Sequence, residues 1–496
     1  MGQTASIIED VKKALRTPND EIAKSITQGT GLVAFDLQAP SKNLYPVLTP
    51  IRNRLPRVPG NGGTAINWRQ VSAIVGSGHP GSGWVPEGQR AARMSYTTAN
   101  KSATYETIGE EDQASFESVS AGQGFEDIQA NMTMRLLQQC MLKEENALLL
   151  GNASTALGTP TTPTLSAAGS GATLPANTYS VIVVALTGEG MRNASLANGV
   201  PNTTSFTGAD GNTITINGGR SNKSAAGSQA ITLGQTLSCS VTPITGALGY
   251  AWFVGTAGAE RLEAITTINS VTFSAALNGT RQLASAVTAA DQSRNQSIAF
   301  DGLIYSALLS GSGAYVNTLA TGTPGVGTVL TSSGRGTVNE IDTMFQAMWD
   351  LYQVSPTVLY LNSQELKNLS NKVMSSGSSP LLQIFADPQT GYANMQAGGV
   401  VGWYFNPFTA GGGVRVPIKI HPAIPAGTII GWAEDLPLQY QSNNVPNVAE
   451  VKVRRDYYQL NWPLRTRQYE VGVYVEEVLA VYAPFAMGMI TNIANG

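Results

Sequence analysis

The stretch MRLLQQCMLKEENALLLGN, residues 134–152, governs how the rest of the chain is read. It closes a longer segment, Phe125 to Leu150, in which Ile128, Met132, Leu136, Leu137, Met141, Ala147 and Leu148 recur at helical spacing with no Pro or Gly between them. That spacing predicts one helix of about seven turns. Gly151 follows at the place where a left-handed C-terminal residue is expected, and the composition changes abruptly there.

Upstream, INWRQVSAIV and MSYTTANKSATYETIGEED flank the Gly/Pro-rich tip GSGHPGSGWVPEGQ. Two β-rich runs around such a tip predict a long hairpin over residues 66–115. Before it, Pro40, Pro46, Pro50, Pro56 and Pro59 break up a segment with few periodic apolar positions. Such a segment is extended and lies across another part of the protein or a neighbour. Residues 5–16, with Ile7, Ile8, Val11 and Leu15 on one face, read as a short amphipathic helix.

Downstream, charged residues nearly vanish between Pro160 and about Ala290. The runs TYSVIVVAL, NTITING, QAITLG, TLSCSVTP, GYAWFVGT, ERLEAITTI and SVTFSA stand between Gly/Asn turns. That pattern predicts an all-β sandwich. Helix and strand signals then alternate: TVNEIDTMFQAMWDLYQV is helical, SPTVLYLN is a buried strand, and SQELKNLSNKVM opens on Ser363 as its N-cap. Long apolar strands end the chain.

With 496 residues there is room for two or three domains, and only 13% of residues are charged, about half the usual share. Such a surface suits a protein mostly covered by its neighbours. A formal net charge of −3 argues against a dedicated nucleic-acid binder. No apolar run is long enough for a membrane span, and the N-terminal residues lack the apolar core of a signal peptide, so a soluble chain that starts in a cytoplasm is expected. MGQTAS fits the short acylation pattern at Gly2, which also arises by chance.

Cys140 falls in the helix and Cys239 in a strand of another domain, so both are expected reduced and buried. His79 and His421 lie far apart without accompanying ligands, which gives metal binding no support. The Gly-rich segments lack the residues of a phosphate loop, so no cofactor is assigned. No nucleophile elbow appears, and no convergent acid, base or metal cluster speaks for an enzyme. The acidic groups Glu110, Glu111 and Asp112, Glu144 and Glu145, and Glu476 and Glu477 read as solvated or subunit-pairing charge. Arg52, Arg54 and Arg57, with Arg454, Arg455, Arg465 and Arg467, read as arginines that meet carboxylates of adjoining subunits. Stacking of the second cluster and its aromatics on nucleic-acid bases is the alternative.

The order of arm, hairpin, long helix, α/β region and long apolar strands resembles the major capsid proteins of tailed bacteriophages with the Hong Kong 97-type fold. Local sequence carries the resemblance too. Glu87-Gly88 and Glu110 to Asp112 sit where that family's extended hairpin and its return have them, and Lys143, Glu144, Glu145, Gly151 and Asn152 are similar to the end of its spine helix. DTMFQAMWDLYQVSPTVLYLNSQELKNL resembles a helix, strand and helix of its axial domain. Residues 155–292 are extra, and their strands resemble immunoglobulin-like or fibronectin type III-like domains.

The resemblance implies an α+β chain: an arm (1–65), an extended hairpin loop (66–115), a spine helix with the start of a peripheral domain (116–154), the inserted sandwich (155–292), and an axial domain with the rest of the peripheral domain (293–496). It implies a non-enzymatic subunit that assembles as hexamers and pentamers of an icosahedral head around double-stranded DNA, contacted nonspecifically, with the insert displayed outside. Separate scaffolding, portal and decoration proteins are the implied partners, with assembly in the bacterial cytoplasm and residence in the virion. Trp84, Glu87, Arg90 and Arg93 join the arginine and acidic groups above as implied subunit contacts. Lys101, in the return strand, is the one lysine between Lys42 and Lys143, and no partner for a crosslink is evident. An encapsulin-type compartment and an adhesion protein working through its sandwich are the alternatives.

Overall fold

The computed structural model describes residues 48–60, 62–73, 84–90, 97–123, 127–333, 337–375, 382–386, 393–397, 402–436 and 447–494. The helix expected over residues 5–16 lies outside them.

In chain order the first elements are β1 (Arg57–Pro59), β2 (Ala65–Ala73), β3 (Thr97–Thr104), β4 (Glu106–Ser115), α1 (Phe116–Ala121) and α2 (Ile128–Leu150). The next stretch holds β5 (Thr164–Ala168), β6 (Asn177–Leu186), α3 (Gly188–Asn193), β7 (Thr203–Thr207), β8 (Thr213–Asn217), β9 (Arg220–Lys223), β10 (Gly227–Ile231), β11 (Thr236–Ser240), β12 (Gly249–Gly255), β13 (Arg261–Thr266) and β14 (Ser270–Phe273). Then come α4 (Leu303–Leu308), β15 (Tyr315–Thr318), α5 (Asn339–Tyr352), β16 (Val358–Leu361), α6 (Ser363–Ser375), β17 (Leu382–Ala386), β18 (Ala393–Ala397), β19 (Trp403–Asn406), β20 (Val414–Ile420), β21 (Ile429–Trp432), β22 (Ala449–Asn461), β23 (Gln468–Val481) and β24 (Met487–Thr491).

Asp127 caps α2 by accepting from the Ala130 N–H, and the helix then runs 23 residues, roughly 35 Å. It lies on a four-stranded sheet of order β1-β22-β23-β4, where Met132, Leu136 and Cys140 pack on Ala114, Val471 and Val473. Gly151 is not left-handed: its φ is −52°. Glycine is required by crowding instead, since a Cβ there would stand 2.5 Å from the Phe300 carbonyl oxygen and 2.7 Å from that of Ala147.

The hairpin is shorter than its sequence pattern. β2 and β3 pair antiparallel, but after the buried Tyr105 the chain enters β4, which pairs along its length with β23. Alternation alone cannot distinguish a strand that stays with its hairpin partner from one that changes sheets. A six-stranded sheet of order β15-β24-β21-β16-β20-β19 carries α5 and α6 on one face. Asn362, not Ser363, caps α6, its side-chain oxygen accepting from the Gln364 N–H at 3.0 Å.

The segment between α2 and α4 folds as two antiparallel sheets, β10-β6-β12-β13 with β9 also on β6, and β14-β11-β5. Val181, Val183, Trp252 and Val254 from the first meet Leu237 and Cys239 from the second. The opposite faces of β6 and β12 are covered as well, by a cluster that includes Val200, Ala284 and Val287. Burial on both faces explains why TYSVIVVAL and GYAWFVGT are nearly continuous apolar runs.

This two-sheet segment leaves and rejoins the rest of the chain at a stitched neck. The Gly302 N–H donates to the Gly151 carbonyl, the Asn295 N–H to that of Asn152, and Asn152 Nδ2 to the Ser293 carbonyl. Farther out, β7 and β8 form a two-stranded ribbon on which Phe206 and Ile214 face each other, both exposed.

Candidate functional site

The two glutamates of KEEN are not solvated: both are buried, at the end of α2 beneath residues 51–57. Successive helical residues point about 100° apart, so both can enter a groove that lies between sheet and arm. Glu145 accepts from the N–H groups of Ile51 (2.9 Å) and Arg52 (2.7 Å), and its Oε1 lies 2.6 Å from His421 Nε2. His421 Nδ1 accepts from the Ala423 N–H, which leaves the ring proton on Nε2 to be donated to Glu145. Ile51 and Leu55 are buried in the same core as Leu148, Leu149 and Leu150. The described part of the arm therefore lies across its own chain.

Glu144 accepts from Arg52 Nε at 2.6 Å, from Arg57 Nη1 and from the Tyr457 hydroxyl. Arg57 also donates to Asp456 at 2.8 Å, and its Nη2 lies 3.2 Å from a carboxylate oxygen of Glu477. Burial works against the charge of Arg57, but Glu144, Glu477 and Asp456 outweigh it and hold the guanidinium above its ordinary value. Burial and then the charge of Glu144 raise the Tyr457 hydroxyl as well. Parallel pairing of β1 with β22, Arg57 opposite Val451, brings the arm into the sheet at this point.

The other arginines divide between the chain itself and its surface. Arg54 meets Glu434 at 2.5 Å, and Arg454 meets Glu476 at 2.6 Å, beside the Tyr458 hydroxyl. Arg455 stacks over the Tyr458 ring. Glu110 pairs with Lys143 at 3.1 Å, Glu111 accepts from the Tyr474 hydroxyl, and Asp112 is exposed. Several carboxylates and arginines expected to meet across subunits thus already meet within the chain. Arg465 and Arg467 remain exposed on the turn between β22 and β23, Arg467 against Glu117, with Trp462 and Leu464 exposed beside them. Trp84 is 90% exposed, and Glu87 and Arg90 are exposed near it. Arg93 lies outside the described residues.

Sequence reasoning passed over three members of the buried cluster. In sequence Glu477 reads as solvated or subunit-pairing charge, Tyr457 as one of the aromatics beside the second arginine cluster, and His421 as a histidine without accompanying ligands. The KEEN doublet facing a run of arginines was the available signal, but only the fold shows that the two meet. Among the described residues no group of His, Cys, Asp and Glu is placed to hold a metal, and no helix is long and apolar enough to cross a membrane. Cys140 and Cys239 are both free and buried, and burial pushes their thiols up to about 11 and about 12.

No family model matches the chain, and no curated protein matches it. Solved structures similar to it include the capsid of a native GTA particle, 10% identical, covering 96% of this chain and 100% of that one, with a TM-score of 0.41. The capsid of the Myoviridae phage XM1 is 9% identical over 93% of this chain and 96% of its own, with a TM-score of 0.37. The holo-SrpI encapsulin complex from Synechococcus elongatus PCC 7942 is 8% identical over 97% of each chain, with a TM-score of 0.39. At such identities and scores these likenesses assign the chain to no family.

Proposed function

We propose that this chain is a shell-building subunit of the Hong Kong 97-type, a major capsid protein whose work is interface geometry and not catalysis. One observation carries the reading: a long helix laid on a sheet of long strands, its acidic end clamping an arm, with a hairpin leaving the same sheet. Among the described residues β2 and β3 pair only with each other, and Trp84 beyond them is 90% exposed. Ile66 and Ala103 pack on the core of the same chain and Trp68 Nε1 donates to the Val481 carbonyl, so the base of the ribbon is covered from within and the exposed stretch around Trp84 is what a neighbouring copy would cover.

The division of the chain follows from this reading: arm, extended hairpin loop, spine helix with peripheral sheet, immunoglobulin-like insert, and axial α/β domain. Trp84, Glu87 and Arg90 on the hairpin, and Arg465 and Arg467 on the β22–β23 turn, are the subunit contacts we favour. Closed rings of hexamers and pentamers are the assembly such heterologous contacts build. Separate scaffolding and portal proteins, assembly in a bacterial cytoplasm and nonspecific contact with packaged DNA complete the proposal. Electron microscopy of the purified chain, alone and co-expressed with a scaffold, tests it. Shells or capsomers support the reading, and particles loaded with protein cargo but free of DNA favour an encapsulin-type compartment.

A further inference from the structure

The β7–β8 ribbon has two unlike faces. One carries hydroxyls, Ser205 meeting Thr215 at 2.9 Å and Thr207 standing opposite Thr213; the other carries Phe206 opposite Ile214, with Thr204 opposite Ile216 behind them. Water satisfies the hydroxyl face. Phe206 and Ile214, however, are 50% and 43% exposed and belong to no core cluster among the described residues. The root of the ribbon is fixed from within, where the Asn217 N–H donates to Asn295 Oδ1 and Asn217 Nδ2 to the Arg294 carbonyl. Its outer half has no such cover.

The tip of the ribbon stands beside the body of the protein. Asp210, in the turn between β7 and β8, accepts from the Asn212 N–H at 3.0 Å and from the Asn212 side chain. Those donors hold its carboxyl below the ordinary range, and the charge of Arg465, on the β22–β23 turn, adds to the effect. Ribbon and turn are therefore neighbours, and the turn contributes the exposed Trp462 and Leu464. Together they present apolar side chains with one acid and one base, both exposed, at the rim.

The hairpin carries the counterpart: Trp84 and Val85, 90% and 43% exposed, followed by Glu87 and Arg90, again one charge of each sign and both exposed. Trp84 is too exposed to be resting on the ribbon of its own chain. Two complementary patches that do not meet within one chain meet between copies, and such a heterologous contact closes into rings.

We propose that the β7–β8 ribbon, with the β22–β23 turn, is the seat for the hairpin tip of a second copy of this chain, Trp84 packing on Phe206 and Ile214. The inference rests on the shell reading, whose hairpin contact it supplies with a partner. Glu87 then faces Arg465, and Arg90 faces Asp210. A large aromatic side chain at the centre of a charged rim is the usual form of an energetic anchor. The insert becomes part of the subunit interface and not only a displayed domain.

A photo-crosslinking benzoylphenylalanine at position 84 of the full chain tests the seat. Particles formed with a co-expressed scaffold are illuminated, and the crosslinked peptides are identified by mass spectrometry. Intermolecular crosslinks should fall within the ribbon, residues 203–217. Phe206→Ser combined with Ile214→Ser should abolish them and lower the yield of particles, and should leave the unfolding midpoint of the isolated chain unchanged because both positions are exposed. Crosslinks that fall only outside the ribbon, or crosslinks and yield indifferent to the double substitution, would overturn the seat and leave the shell reading standing. A chain that stays monomeric under every condition would overturn both.

Discussion

Asn269 and Asn492, 223 positions apart, hold each other in a buried exchange of hydrogen bonds: the Asn269 N–H donates to Asn492 Oδ1 at 2.9 Å, and Asn492 Nδ2 donates to Asn269 Oδ1 at 3.0 Å. Asn269 stands between two strands of the insert, and Asn492 follows β24 of the six-stranded sheet. Asn269 Nδ2 also reaches the Val241 carbonyl, and Asn492 Nδ2 that of Leu319. The insert is therefore seated on the body of the protein through a satisfied polar contact as well as through its neck. Asn492 adopts φ 63°, a conformation that asparagine tolerates better than most side chains.

Asn492→Ala should destabilise the chain by about 2–4 kcal/mol, since it leaves buried partners unsatisfied and puts alanine in a left-handed conformation. Asn492→Gly keeps the backbone conformation accessible, so its smaller loss measures the hydrogen bonds. Urea denaturation should show insert and body unfolding in one transition in the unaltered chain. An insert that unfolds separately would contradict the seat.

Arg57→Ala should cost about 3–5 kcal/mol, because it strips the buried Glu144 of a charged partner. The loss should be felt first in the arm, so protease cleavage within residues 48–60 should accelerate before the core opens. Equal cleavage rates in the two proteins would show that Arg57 does not anchor the arm.

Neither cysteine should react with a thiol reagent in the native chain, and both should react once it is unfolded in denaturant. Their burial and the raised thiol values leave little thiolate at neutral pH. Fast labelling of Cys140 in the native chain would mean that α2 lifts from its sheet.

Much of this organisation was legible in the sequence because it rests on local periodicity. The apolar spacing of α2 and the punctuated strands of the insert each occupy one contiguous stretch. β22 was not legible, since VKVRRDYYQLN shows arginines and tyrosines where a strand reader looks for alternating aliphatic residues. Its polar side chains are spent on Glu144, Glu476 and Arg57 from elsewhere in the chain, contacts that only the tertiary fold supplies. The same cause hid the burial of Glu144 and Glu145: a carboxylate looks like surface charge until its donors are located. The departure of β4 from the hairpin was hidden for the related reason that its partner, β23, lies more than three hundred residues away.

Trp84 provides the most direct test of the shell proposal, because it touches almost nothing in its own chain. Trp84→Ala should leave the unfolding midpoint of the isolated chain unchanged to within about 0.5 kcal/mol. Electron microscopy of the unaltered and altered proteins, each purified with and without a co-expressed scaffold, should show shells or capsomers for the first and markedly fewer for the second. A chain that remains monomeric under every condition would contradict the account.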